Sequence, residues 1–118
     1  MTSFELAQLV KHLLDEKKAE NIVTIDLVKK GTIVDYMVIA TGTSSRQVHA
    51  LTDYVSQDLK QRGYHISVEG LPQCDWALID AGDVLVHIFR PESRQFYNLE
   101  KMWGANEPTD ELNQVVPL

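Results

Sequence analysis

The feature that most constrains this chain is a pair of period-two runs, residues 76–80 (WALID) and 83–89 (DVLVHIF), separated by Ala81-Gly82. Alternation of this kind is typical of a β-strand whose two faces differ, and glycine tolerates the positive φ of a tight turn. The runs therefore predict a β-hairpin. A two-residue turn would pair Trp76 with His87; a longer turn would shift the register, but each strand would keep its own alternation.

The two faces of this hairpin differ in composition. One face is wholly apolar and is predicted to lie in the core; it comprises Ala77, Ile79, Val84, Val86 and Ile88. The opposite face, called the mixed face below, comprises Trp76, Leu78, Asp80, Asp83, Leu85, His87 and Phe89. The mixed face is too polar for an ordinary core and too apolar for an ordinary surface, so it is the first candidate for a functional surface.

Two other parts of the chain have helical spacing. Thr2 and Glu5 fit a capping box ahead of a helix predicted over about residues 3–18. The run TGTSSRQVHALTDYVSQDLKQRG predicts a second helix, with Ser44 or Ser45 as its N-cap. The inward stripe of the second helix is predicted to comprise Val48, Leu51, Thr52, Val55 and Leu59.

The remaining patterned segments predict strands and one short helix. The runs NIVTIDLVKK, DYMVIATG and HISVEG each predict a strand, and the second is apolar enough to be central in a sheet. Pro91 is predicted to open a short last helix, because proline suits the first helical position. The order of elements predicts an α/β protein with a mixed β-sheet flanked by helices.

Length and composition predict a single domain. The 118 residues with 44% apolar content can bury one hydrophobic core, which we assign to residues 1–104. Residues 105–118 contain two prolines, three acids and no base, and are predicted to form a flexible acidic tail. The single cysteine favours a reducing compartment. The chain has no run long enough to span a membrane and no recognisable targeting segment, so we expect a cytoplasmic protein without a membrane contact.

The charge of the chain restricts its partners. The net charge is −6, with 17 acids against 11 bases. Affinity for a nucleic-acid backbone comes mainly from Lys and Arg side chains that neutralise phosphates, so we expect little direct contact with nucleic acid. An acidic protein can still bind a basic protein that itself sits on nucleic acid.

Two features would suit an enzyme. The segment GTSSR at residues 42–46 leads from a predicted strand into a helix N-terminus, which can hold a phosphate. The simpler interpretation is a helix cap after a tight turn, because the Walker lysine and the GxGxxG spacing are both absent.

Asp75, Asp80 and Asp83 form a cluster of acids, but the pair of acids one residue apart that two-metal nucleotidyl transfer requires is missing. Aspartates beside turns are common for conformational reasons alone.

The cysteine and histidines give a third, weaker possibility. Cys74 with His49 or His87 would need a third orienting group and an oxyanion site, and the spacing supplies neither. The histidines have no metal-ligand spacing. We therefore expect no catalytic site, no metal and no cofactor.

The mixed face is better explained as a docking surface. Tryptophan and tyrosine are enriched at interface hot spots, and neighbouring acids orient a basic partner. The alternative is that the last helix covers this face with Phe96, Tyr97 and Trp103. We favour docking for Trp76 and Asp80. For Leu85 and Phe89 we expect burial.

Four segments together resemble the Iojap family, the bacterial ribosomal silencing factor; they are DYMVIATGTSSRQV, VEG, WALIDAGDVLVHIF and RQFYNLEKMW. The resemblance covers about residues 3–104. It implies a fold related to nucleotidyltransferases but without their catalytic acids. It also implies binding to protein fourteen of the large ribosomal subunit, which blocks joining of the small subunit and lowers translation, and a homodimer when the protein is free. The alternative is a divergent nucleotide-binding or nucleotidyltransferase-like enzyme.

Position by position, the resemblance assigns the family's tryptophan to Trp76, its turn acids to Asp80 and Asp83, and its histidine to His87. The family's SRQV matches residues 45–48. The set that we predict to bind the partner comprises Trp76, Leu78, Asp80, Asp83, His87, Glu69, Arg94 and Tyr97.

Overall fold

The computed structural model of the protein describes residues 1–70 and 76–91. Helix α1 spans Ser3–Glu16 and begins with the predicted capping box, in which the Glu5 amide donates to Thr2 Oγ1 at 3.1 Å and the Thr2 amide donates to Glu5 Oε1 at 2.9 Å. The helix ends two residues earlier than predicted, because Lys18 adopts a left-handed backbone with φ 67°. The buried face of α1 comprises Leu6, Ala7, Val10, Leu13 and Leu14.

Helix α2 spans Ser45–Gln61. Of the two predicted caps, the structure uses Ser44, whose hydroxyl accepts the Gln47 amide at 3.0 Å. The predicted inward stripe of this helix is confirmed, since all five of its members are buried. The chain leaves the helix through Gly63, whose positive φ of 94° is a common way to end a helix.

Within the described residues, five strands form one mixed sheet; they are β1 (Glu20–Asp26), β2 (Tyr36–Thr41), β3 (Ser67–Glu69), β4 (Trp76–Asp80) and β5 (Val84–Phe89). Their order is β1-β2-β5-β4-β3, with β2 and β5 parallel and the other described neighbours antiparallel. The mixed sheet and the interior position of β2 are confirmed. The first predicted strand was too long, because the chain turns after Asp26 into a short 3-10 helix, Val28–Lys30, and Asp26 Oδ1 accepts the Val28 amide at 2.9 Å.

The hairpin of β4 and β5 forms, but not in the register that a two-residue turn at Ala81-Gly82 would give. Residues 81–83 connect the strands, the Ala81 amide donates to the Val84 carbonyl at 3.0 Å, and Gly82 has φ 91°. Trp76 consequently lies opposite Phe89 rather than opposite His87. The register shifts by an even number of residues, so each strand keeps the predicted alternation of faces.

The two faces of the sheet support separate apolar clusters. Both helices pack on one face, where the apolar side of the hairpin is buried as predicted. The second cluster lies on the opposite face and contains no residue of α1 or α2; its buried members are Ile25, Leu27, Met37, Ile39 and Phe89. The predicted last helix after Pro91 and the predicted tail fall on residues 92–118, which lie outside the described residues.

Candidate partner-binding surface

The mixed face of the hairpin lies on the side of the sheet opposite α1 and α2, next to β3 at the end of the described strand order. The strand register places Glu69 opposite Leu78 and places Ser67 opposite Asp80. Residues directly opposite each other in an antiparallel pair share a face. Glu69, Leu78, Asp80 and Trp76 therefore meet on one face at one edge of the sheet, although they come from two strands.

Trp76 is the largest apolar side chain of this surface. It is half-buried and packs against the second cluster, and Phe89 is its cross-strand neighbour. Leu78 is also half-buried. The expected burial of Phe89 is confirmed, since it is 1% exposed, whereas Leu85 is half-buried and packs against the same cluster.

Three acidic residues belong to this part of the sheet, Glu69 and Asp80 on the same face as Leu78 and Asp83 in the hairpin turn. Glu69, Asp80 and Asp83 are all exposed, and within the described parts of the chain none of them forms an ion pair. Asp80 also has a conformational role, because its Oδ1 accepts the Gly82 amide at 2.9 Å. The backbone of Asp83 links the hairpin turn to the start of β2, because its carbonyl accepts the amides of Asp35 and Tyr36.

His87 differs from the other described members of the predicted set because it is buried, with 5% of its surface exposed. Its neighbours in register are Ile39 on β2 and Leu78 on β4, and its ring stacks on Phe89 with 5.7 Å between ring centroids. No described residue makes a hydrogen bond with its Nδ1. Burial lowers the pKa of this histidine from 6.5 to about 4, so the imidazole is neutral at physiological pH. His87 can therefore contribute packing to this surface, but too little of its side chain is accessible for direct contact with a partner.

The GTSSR turn has a structural explanation that does not require a phosphate. Gln47 Oε1 accepts the Thr43 amide at 2.6 Å, and the Gln47 amide is itself capped by Ser44. A Cβ on Gly42 would lie 2.9 Å from Cγ2 of Val48, so the glycine allows β2 and α2 to approach closely. These contacts support the predicted helix cap.

The other predicted features can now be placed. Within residues 1–70 and 76–91, no three His, Cys, Asp or Glu side chains are grouped so as to hold a metal ion. The same part of the chain has no helix with the length and apolarity required to cross a membrane. Of the residues considered for binding or catalysis, Cys74, Asp75, Arg94 and Tyr97 lie outside the described residues.

Fold and surface together define a small mixed-sheet α/β domain whose most distinctive described surface is aromatic and acidic. The sequence model of a family described as "Ribosomal silencing factor during starvation" matches residues 1–117, and the chain belongs to this family. Its members are ribosomal silencing factors rather than enzymes, and this protein is therefore a regulator of translation and not an enzyme. The predicted family is confirmed.

Individual relatives agree with this assignment. The chain is 50% identical over 114 residues to the ribosomal silencing factor RsfS of Zymomonas mobilis, covering 93% of this chain and 86% of the relative. It is 33% identical over 116 residues to mouse "Mitochondrial assembly of ribosomal large subunit protein 1", covering 95% of this chain and 50% of that protein. A crystal structure of a Chromobacterium violaceum protein superposes with a TM-score of 0.86 at 37% identity, covering 94% of this chain and 93% of that one.

Proposed function

We propose that this protein represses translation in the cytoplasm by binding the large ribosomal subunit through its protein fourteen and sterically blocking the small subunit. The observation that carries the proposal is the half-buried Trp76 with exposed carboxylates at Asp80 and Glu69 on the same sheet face. Membership in a family of ribosomal silencing factors supports the ribosome as the target. The name of the mouse relative points to the large subunit.

The charge of the protein favours docking on a ribosomal protein over docking on RNA. A net charge of −6 opposes close approach to phosphates, so little direct nucleic-acid contact is expected. Proteins that sit on ribosomal RNA are commonly basic, and exposed acids around an apolar centre complement such a partner. Repression by this route requires affinity and steric bulk, and no chemical step.

The direct contacts are proposed to come from the accessible members of the set. These are Trp76 and Leu78 at the centre, with Glu69, Asp80 and Asp83 around them. His87 is assigned a supporting role because it is buried. Arg94 and Tyr97 remain part of the proposal on the resemblance alone. The resemblance also supports a homodimer when the protein is free.

Co-sedimentation of Trp76→Ala with purified large subunits tests the proposal. Truncating a hot-spot tryptophan costs on the order of 2 kcal/mol or more, which is about a 30-fold loss of affinity. Phe4→Ala is the matched control, because Phe4 is an aromatic residue with 52% of its surface exposed that packs edge-on against Tyr36. We expect Phe4→Ala to co-sediment like the wild type. Wild-type binding by Trp76→Ala would refute the site.

Subunit joining is tested separately on sucrose gradients. Purified large and small subunits are mixed with increasing protein, and the fraction of joined ribosomes is measured. We expect the wild type to reduce this fraction and Trp76→Ala to leave it unchanged. A wild type that binds large subunits but leaves joining intact would refute steric exclusion and retain the docking site.

A further inference from the structure

The backbone of Gly70, just after strand β3, lies directly against the side chain of Trp76. Gly70 has φ 101°, a conformation that L side chains rarely adopt. A Cβ built on it would overlap with Cε3 and Cζ3 of the indole and with the carbonyl oxygen of Trp76. The space that any side chain would need at position 70 is therefore already occupied by the tryptophan.

The indole has further contacts on its own sheet face. Trp76 packs against the second cluster, and Phe89 on β5 is its directly opposite neighbour. The ring thus contacts both the edge of the sheet and its interior. A ring with contacts of both kinds has few alternative rotamers, since leaving its position would give up packing on the cluster.

We propose that Gly70 is a positioning residue that holds the Trp76 indole in its docking conformation before the partner arrives. An anchor that is already ordered loses less conformational freedom on binding, which raises affinity without a new contact. The use of this arrangement in docking rests on the proposed function, but the arrangement itself can be tested on the free protein.

Gly63 serves as a control that distinguishes this positioning role from a simple requirement for a positive φ. Gly63 has φ 94°, close to that of Gly70, but a Cβ built on it would meet no atom within 4 Å. Gly63→Ala therefore introduces similar backbone strain without displacing any side chain. If Gly70 served only to allow a positive φ, Gly70→Ala and Gly63→Ala would have the same consequences for the indole.

Tryptophan fluorescence makes this comparison. The chain has two tryptophans, so the measurement uses a Trp103→Phe background in which Trp76 is the only tryptophan and is excited selectively. We expect Gly70→Ala to raise the acrylamide quenching constant and to shift the emission, and we expect Gly63→Ala to match its parent. Equal quenching in the two alanine variants would overturn the proposal.

If Gly70→Ala does not fold, the order of the Trp76 indole can still be measured in a protein that retains Gly70. Side-chain rotamer exchange occurs in picoseconds to nanoseconds, so time-resolved anisotropy of the Trp103→Phe protein reports whether the indole is held. A decay governed by overall tumbling supports the proposal. A large fast component would overturn it.

Co-sedimentation with large subunits, with Trp103 retained, links the indole to docking. We expect Gly70→Ala to lose binding as far as Trp76→Ala does, and Gly63→Ala to retain it. If Trp76→Ala abolishes binding but Gly70→Ala binds and quenches normally, the positioning role fails and the proposed function stands. If the wild type does not bind large subunits but Gly70→Ala still releases the indole, the proposed function fails and the positioning of Trp76 stands.

Discussion

Protonation of His87 should destabilise the fold in mild acid. The imidazole is buried in strand β5 beside the apolar side chains of Ile39 and Leu78, and burial holds its pKa at about 4 instead of 6.5. The unfolded chain binds this proton more readily than the folded chain does. Stability from the neutral histidine is therefore fully present above about pH 6.5 and is lost as the pH falls toward about 4.

The size of the effect follows from the shift in pKa. One pKa unit corresponds to about 1.4 kcal/mol, so the full shift is worth about 3 kcal/mol. By linkage, about 2 kcal/mol of this should already be lost between about pH 7 and pH 5. Such a loss is a large fraction of the stability of a typical small domain, which is about 5–15 kcal/mol.

Urea unfolding followed by far-ultraviolet circular dichroism measures this loss at a series of pH values. His87→Leu replaces the imidazole with an apolar side chain and should have a shallower pH dependence than the wild type over this range. Carboxylate titration is common to both proteins and cancels in the comparison. His49→Gln, at an exposed position on α2, is the control and should follow the wild type. Parallel pH profiles for wild type and His87→Leu would refute the reasoning.

Two stability predictions test how tightly the helix face of the sheet is packed. Gly42→Ala should lower stability by about 1–3 kcal/mol, because the new methyl group would lie 2.9 Å from Cγ2 of Val48; an unchanged melting temperature would mean that this turn can relax. Ser56→Ala should raise stability by about 1 kcal/mol, because this buried hydroxyl has no hydrogen bond within the described residues. A lower melting temperature for Ser56→Ala would indicate that the hydroxyl has a partner.

The sequence predicts the faces of the sheet better than its register. Alternation in the hairpin depends only on each strand, and the apolar side is buried as expected, with Ile79 and Val86 both fully inaccessible. Register depends on the turn, and the Gly82 turn accommodates more than one length. The pairing of Trp76 with His87, which was conditional on a two-residue turn at Ala81-Gly82, is therefore not the one observed.

Two properties of the site could not be derived from the sequence. The burial of His87 depends on what packs around a position that a pattern marks only as polar. The contact between Gly70 and Trp76 joins residues that are not adjacent in the sequence, and a single glycine after a predicted strand has many possible explanations. The one available signal was the resemblance, which matches Glu69-Gly70 to the family without giving a physical reason.

The observed register suits docking better than the register that a two-residue turn at Ala81-Gly82 would give. Beside His87, the indole of Trp76 would have rested on a group that can acquire charge. Opposite Phe89 it rests on an apolar side chain that is 1% exposed, and the imidazole lies opposite Leu78 instead. The resulting surface has an apolar centre, and its acids, Glu69 and Asp80, are exposed around that centre. An apolar centre with a polar rim is the usual anatomy of a protein–protein interface. The proposed repression by steric exclusion requires such an interface and no catalytic group.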